Sequence, residues 1–439
     1  MFKIRFIVLS GVLLVSACGE KEVILSGDRL DHRAGITGEL TGRENREAAI
    51  RLAPAVANED WTHRGMSPSH AGGHPALGTN LSLQFVADIG EGNSRRTRIS
   101  SDPVAAGGSV FTTDATGTVS AVSLAGDVLW QTDLSAGKPD QSATSGGGLA
   151  ASAGMLFVST GFGEVIALDQ ASGAVEWRQD LDAPAAGPPA IIGDRVLVVD
   201  RDSTAWSLDA DTGRVSWSVD GTPSTANFGA GAGVAVDGRI AVLPFPSGEV
   251  VGAFPRGGLQ RWSTVVGGQR LGSVAATISD IAGDPVIDGN RVYVANFSGR
   301  IAALDIETGD RIWTALHGAV GPIWPAGDSV FAVNDISQLV RLNAQSGQTV
   351  WAVDLPNGRE KQDRSFWRRD RSLTAHYGPI LAGGRVWTAS SDGLLRAFDP
   401  VSGAMAESAE LPAGAASAPI VVRGTLYVVT VDGELVAFR

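Results

Sequence analysis

Apolar runs of four to six residues alternate along most of this chain with polar turns, and runs that short read as strands rather than helices. Residues 301–304 (Ile-Ala-Ala-Leu) are one such run. Asp305, Thr308 and Gly309 follow it with turn chemistry. An Asp carboxylate accepts a hydrogen bond from a backbone N–H further along its own turn, and Gly adopts the left-handed conformation that closes a hairpin. Arg311, Ile312 and Trp313 then open a return strand with a large aromatic anchor.

The unit recurs. Asp169 leads through Ser172 and Gly173 to Trp177, Asp209 through Thr212 and Gly213 to Trp217, and Asn343 through Ser346 and Gly347 to Trp351. Two copies are degenerate: Gly126 reaches Trp130 through a shorter turn, and Gly257 and Gly258 precede Trp262. Asp399, Ser402 and Gly403 repeat the turn, but Glu407 stands where the tryptophan belongs. The tryptophans return with a period of roughly 44 residues, the length of a four-stranded propeller blade. Residues 435–439 make half of an eighth copy, after which the sequence stops. Its return strand is expected from residues 81–89, where Phe85 takes the tryptophan's place, and pairing the two ends would hide two strand edges. The prediction is an all-β, eight-bladed β-propeller over residues 61–439, closed by its N- and C-terminal strands.

The start of the chain breaks this rhythm. Lys3 and Arg5 precede an apolar run of about ten residues, too short to span a bilayer, so residues 1–17 read as a signal peptide. Val15, Ser16 and Ala17 lead into Cys18, the single cysteine of the chain. Residues 18–60 are polar, of mixed charge and without sustained periodicity, and read as a tether with a short helix near residues 43–52.

Composition changes the picture in a few places. The 56 glycines and 11 tryptophans suit many tight turns with aromatic anchors, and only 4 methionines are present. A net charge of −12 gives no support to nucleic-acid binding. A lone cysteine leaves no internal disulfide available. His63, His70 and His74 are close enough in sequence to raise a metal site, but the segment is loop-like with no Cys or acid among them, so a loop capping the propeller is expected and no metal. Two insertions exceed the blade rhythm, one around residues 267–285 and one at residues 357–371. The second carries six positive and three negative side chains together with Phe366 and Trp367, which is the composition of an interface.

The residues before Cys18 resemble a bacterial lipobox, which implies cleavage before Cys18 and lipid on its thiol. Gly19, rather than Asp, after the cysteine implies the outer membrane. The Asp-x-x-Thr/Ser-Gly-x-x-x-Trp repeat resembles that of the pyrroloquinoline-quinone dehydrogenases, eight-bladed enzymes that hold quinone and Ca²⁺ in a central funnel, often beside a disulfide this chain cannot form. Lipobox, tether and propeller together resemble the BamB family, lipoproteins of the outer-membrane β-barrel assembly machinery. That resemblance implies a non-catalytic scaffold without cofactor, anchored in the outer membrane and facing the periplasm. Its implied partners are the periplasmic (POTRA) domains of BamA and nascent outer membrane proteins. Asp280, followed by Ile281, matches the first acid of the family's docking element, with Ala282 in place of the second. The companion loop of an earlier blade holds Asn227 and Phe228 as its largest side chains. These four are the expected partner-binding residues. The alternative is a periplasmic quinoprotein-type dehydrogenase.

Overall fold

In this computed structural model the described residues are 45–136, 146–224, 231–268, 280–360 and 371–439. Among them every regular element is a strand. Eight antiparallel four-stranded sheets form the blades of a propeller, and a two-stranded ladder pairs Arg359–Glu360 with Arg371–Ser372. Seven blades are meanders of consecutive strands. The first runs Val104–Ala106, Ser109–Thr113, Thr118–Ser123 and Val128–Asp133. The eighth is split: Ile420–Val422, Thr425–Val429 and Glu434–Phe438 take Leu83–Asp88 as the outer strand, with Val86 opposite Val436 and Phe85 opposite Ala437. The expected closure is therefore present.

The core lies between the blades. Inner strands are buried on both faces, whereas outer strands such as Val215–Asp220 alternate between exposed and half-buried positions. One apolar cluster joins blades one and two, another blades two and three, and so on around the ring. Each blade thus borrows its core from its neighbours, which is how a chain this long avoids one oversized core.

The repeat motif makes these joints. Trp177, on the outer strand of blade two, donates its indole N–H to the carbonyl of Ala210 at 2.9 Å, in a turn of blade three. Trp130, Trp217, Trp262, Trp313 and Trp351 do the same to Gln170, Pro255, Ile306, Ala344 and Pro400. All six tryptophans thus make the same kind of joint. The motif Gly lies under the neighbour's ring: a Cβ on Gly213, at φ 71°, would sit 2.6 Å from Trp177. The motif Asp ties the turn, as Asp209 accepts from the N–H and hydroxyl of Thr212 at 2.9 and 2.7 Å. Opposite every tryptophan the ladder slips by one residue, a bulge that bends the outer strand. Phe85 is the anchor of the eighth blade, packed over Gly126.

Residues 45–60 correct the expected tether and domain boundary. The compact unit begins at Glu44, and no helix forms at residues 45–52. This stretch is extended and bound along blades six and seven. Arg46 N–H donates to Val350 at 3.2 Å, and the buried Arg341 guanidinium donates to the carbonyls of Ala48 and Ala49. Carbonyls that capture a guanidinium hold the backbone straight, so local helix propensity loses.

Residues 56–76 then form a ring across the lower face, where the first and second strands of each blade are joined. It meets the blades in circular order. Asn58 accepts from Arg423 of blade eight, and Trp61 exchanges two backbone bonds with Ala105 of blade one. Thr62 accepts from Ala151 of blade two, and the His63 imidazole from Ile191 of blade three. Pro68 and Ser69 accept from Val236 and Ile287 of blades four and five. Gly73 takes the Trp324 indole of blade six, and Pro75 accepts from Gly383 of blade seven. Val56 bonds both His74 and Ala76 to close the circle. Innermost strands are sheet edges with unpaired amides, and the ring supplies their acceptors. Trp61 stacks on Trp324, with centroids 5.8 Å apart, to fill the lower mouth of the channel.

Candidate functional site

With its lower mouth plugged, the channel becomes a blind funnel of about 560 Å³ opening on the upper face. The side chains that define it come from the ring and from blades one, five, six, seven and eight; they include Arg64, Asp102, Asp284, Phe297, Val320 and Tyr377.

Arg64 rises from the ring to the floor. Its Nε and Nη2 bind both oxygens of Asp284, on the inner strand of blade five, and Nη2 also reaches the Gly231 carbonyl at 3.3 Å. Asp284 further accepts from Gly233 N–H at 2.6 Å. Burial alone would raise the Asp284 carboxyl, but Arg64, bound to both of its oxygens, holds it below the usual carboxylate range. Among the described residues Asp102 has no such bidentate partner. Burial pushes its carboxyl up, against the nearby Arg64; its Oδ1 accepts from Ala418 N–H at 2.7 Å.

The histidines of the ring are spent on structure, as a capping loop requires. His63 takes a backbone N–H on Nε2 at 3.0 Å and bonds the Thr62 hydroxyl through Nδ1 at 2.8 Å. Burial lowers it to about 3, helped by His70. His70 Nδ1 bonds the Pro285 carbonyl at 2.8 Å, and burial lowers it too. His74 bonds Ala53 through Nδ1 and accepts from Gly384 on Nε2. Among the described residues no group of three or more His, Cys, Asp or Glu is arranged to hold a metal ion. A quinone bearing three carboxylates is a poor match for a floor where Asp102 and Asp284 face the single Arg64, so the donor set does not fit the cofactor of the quinoprotein dehydrogenases.

The expected docking residues divide. Asp280 and Ile281 sit at the upper end of blade five, only 2% and 1% exposed, which corrects their expected place on an open patch. Ile281 belongs to the apolar cluster between blades four and five. Asp280 accepts the Phe297 N–H through its carbonyl, and its charge opposes the lowering of Arg201 by burial. Asn227, Phe228 and most of the basic insertion, like Cys18, lie outside the described residues. Sequence reasoning missed Arg64, Asp102 and Tyr377. Arg64 and Asp102 lie in connections and Tyr377 near the start of the strand His376–Ala382, and blades far apart in sequence bring them together, so spacing carries no signal for them.

The family described as outer membrane protein assembly factor BamB matches residues 115–353 and 357–439. Similar relatives carry that same name. One from Yersinia pestis is 26% identical over 76% of this chain and 83% of its own length. One from Burkholderia pseudomallei is 26% identical over 81% and 87%. Among solved structures, BamB from Moraxella catarrhalis superposes with a TM-score of 0.67 at 19% identity, covering 82% of this chain and 99% of that one. A quinohemoprotein alcohol dehydrogenase from Comamonas testosteroni superposes with a TM-score of 0.64 at 15% identity, over 88% and 81%, which is a likeness of fold alone. With the family matched across nearly the whole propeller, the chain belongs to the BamB family of outer membrane protein assembly factors.

Proposed function

We propose that this chain is a non-catalytic scaffold of outer-membrane β-barrel assembly, associated with the outer membrane on its periplasmic side and tethered there through lipid on Cys18. It docks the periplasmic domains of BamA through its upper face, around the connections that enter blades four and five. The observation that carries this reading is the family match over residues 115–353 and 357–439. The site chemistry is compatible with it: the ring imidazoles and the Arg64–Asp284 pair are engaged in holding the fold. Asn227 and Phe228 belong to the docking patch. Asp280 acts from behind it by fixing the backbone at Phe297.

The docking test is binding of the folded Asn227→Ala, Phe228→Ala double variant to the periplasmic domains of BamA. Weakened binding with an unchanged unfolding curve is expected; undiminished binding moves the patch elsewhere, with the insertion at residues 357–371 next. The anchor test is Cys18→Ser, which should release a folded, soluble protein, because acyl chains supply the membrane affinity. Continued membrane fractionation without its partners would remove the lipoprotein assignment.

A further inference from the structure

We infer that the central funnel is a binding site for a small organic cation, an amine or guanidinium carried on an apolar body, with the head group on Asp102. Three observations carry this, and none depends on the scaffold reading. First, the cavity of about 560 Å³ lies within the range of small-molecule sites and has a closed floor. Second, the floor holds two carboxyl groups and one guanidinium, and that guanidinium, Arg64, is bound to Asp284. Burial raises the Asp102 carboxyl, and a cation seated on it would favour its ionised form. Third, polar groups converge there without partners among the described residues. Asp102 uses Oδ1 on Ala418 N–H, while Oδ2 and the Tyr377 hydroxyl accept no hydrogen bond from the described residues. The two feel each other, since the Asp102 carboxylate pushes the Tyr377 phenol up beyond the effect of burial.

A half-buried carboxyl group without an ion-pair partner of its own among the described residues favours a cationic ligand, and a charge-assisted hydrogen bond to Oδ2 would satisfy it. Above Asp102 the wall is apolar and aromatic, with Phe297, Val320, Pro322 and Tyr377 facing the same cavity. Rings placed there suit both an apolar body and a cation over an aromatic face. Arg98 and Asp335 also line the cavity and offset one another in charge. An anionic ligand would meet two carboxyl groups, and a neutral alcohol would donate to Oδ2 without the assistance of charge.

The probes are phenethylamine, phenethyl alcohol and phenylacetate, titrated calorimetrically into the full chain at neutral pH and low salt. Saturable binding of phenethylamine is expected, with the alcohol and the acid about tenfold weaker or more. Asp102→Asn, which keeps the acceptor for Ala418, should lose that preference, and Tyr377→Phe should weaken phenethylamine binding less. Equal binding of all three probes, or no binding of phenethylamine, overturns the site. So does unchanged phenethylamine binding by a folded Asp102→Asn protein. If that variant fails to fold, the three-probe comparison on the unaltered chain decides alone.

Discussion

At the scale of single residues, the blade joints depend on a ring, a glycine and a carbonyl meeting in one place. Trp351 is fully buried, bonded to Pro400 and packed over Gly403. Trp351→Ala would leave a large cavity at the junction of blades six and seven and cost roughly 3–5 kcal/mol. Thermal and urea unfolding would read this, and a loss under 1 kcal/mol would show that the joint is not a core contact. His63 supplies a second residue-scale expectation. Its folded value near 3 lies below the ordinary 6.5, so the folded protein binds this proton less readily than the unfolded chain. Above pH 6.5 both states are neutral and the group has no effect on stability. As pH falls from 6.5 towards 3 the unfolded chain is protonated first, and stability drops by a few kcal/mol. Its neighbours are Thr62, the Ile191 amide and His70, so no carboxylate in contact with it offsets the loss. His63→Gln, which keeps an acceptor for Ile191, should therefore flatten the decline of melting temperature between pH 7 and 4.5. Parallel declines in both proteins would assign the acid sensitivity to other groups.

At the scale of elements, what could be read from sequence follows from how local the physics is. Asp169, Ser172 and Gly173 sit within one turn, and their bonds to each other span three or four residues. The hairpins, the period and the place of Phe85 were legible for that reason. The ring was not. It bonds through its backbone to amides far along the chain, and carbonyls carry no sequence signal. Arg64 meets Asp284 across 220 residues, which no spacing rule anticipates. Low periodicity at residues 45–60 reads as a tether, yet the same absence of pattern suits a strap that follows a circular rim. The element therefore makes its own prediction. Removing residues 20–43 should leave the melting temperature unchanged, because the described bonds begin at Asn45. Removing residues 20–77 should lower it steeply, since every blade loses an acceptor at its inner edge. Equal melting temperatures for the two truncations would mean that the ring merely rests on the propeller.

At the scale of the whole molecule, the decisive joint is the one without a covalent turn. Between blades seven and eight the chain offers two ends instead of a hairpin: Ser82 and Arg439 exchange backbone bonds of 2.8 and 3.0 Å. An indole cannot stack on a turn that does not exist, and Glu407 replaces the tryptophan accordingly. One of its oxygens accepts the otherwise unpaired Leu81 N–H at 2.9 Å, and the other pairs with Arg385. The residue that looked like a lapse in the repeat is the fitting for the seam. Glu407→Ala should leave the Leu81 amide and Arg385 without their partner and weaken closure by about 1–3 kcal/mol. Deleting residues 434–439 goes further: it exposes the edge of Thr425–Val429 and releases Leu83–Asp88 with its pairing. A half-buried strand set free beside an open edge is an invitation to pair between molecules. That truncation should aggregate or unfold without cooperativity, as read by size-exclusion chromatography and calorimetry, whereas Glu407→Ala should stay monomeric with a lowered midpoint. A truncated protein that melts cooperatively and elutes as a monomer would show that seven blades and the ring suffice to hold the circle.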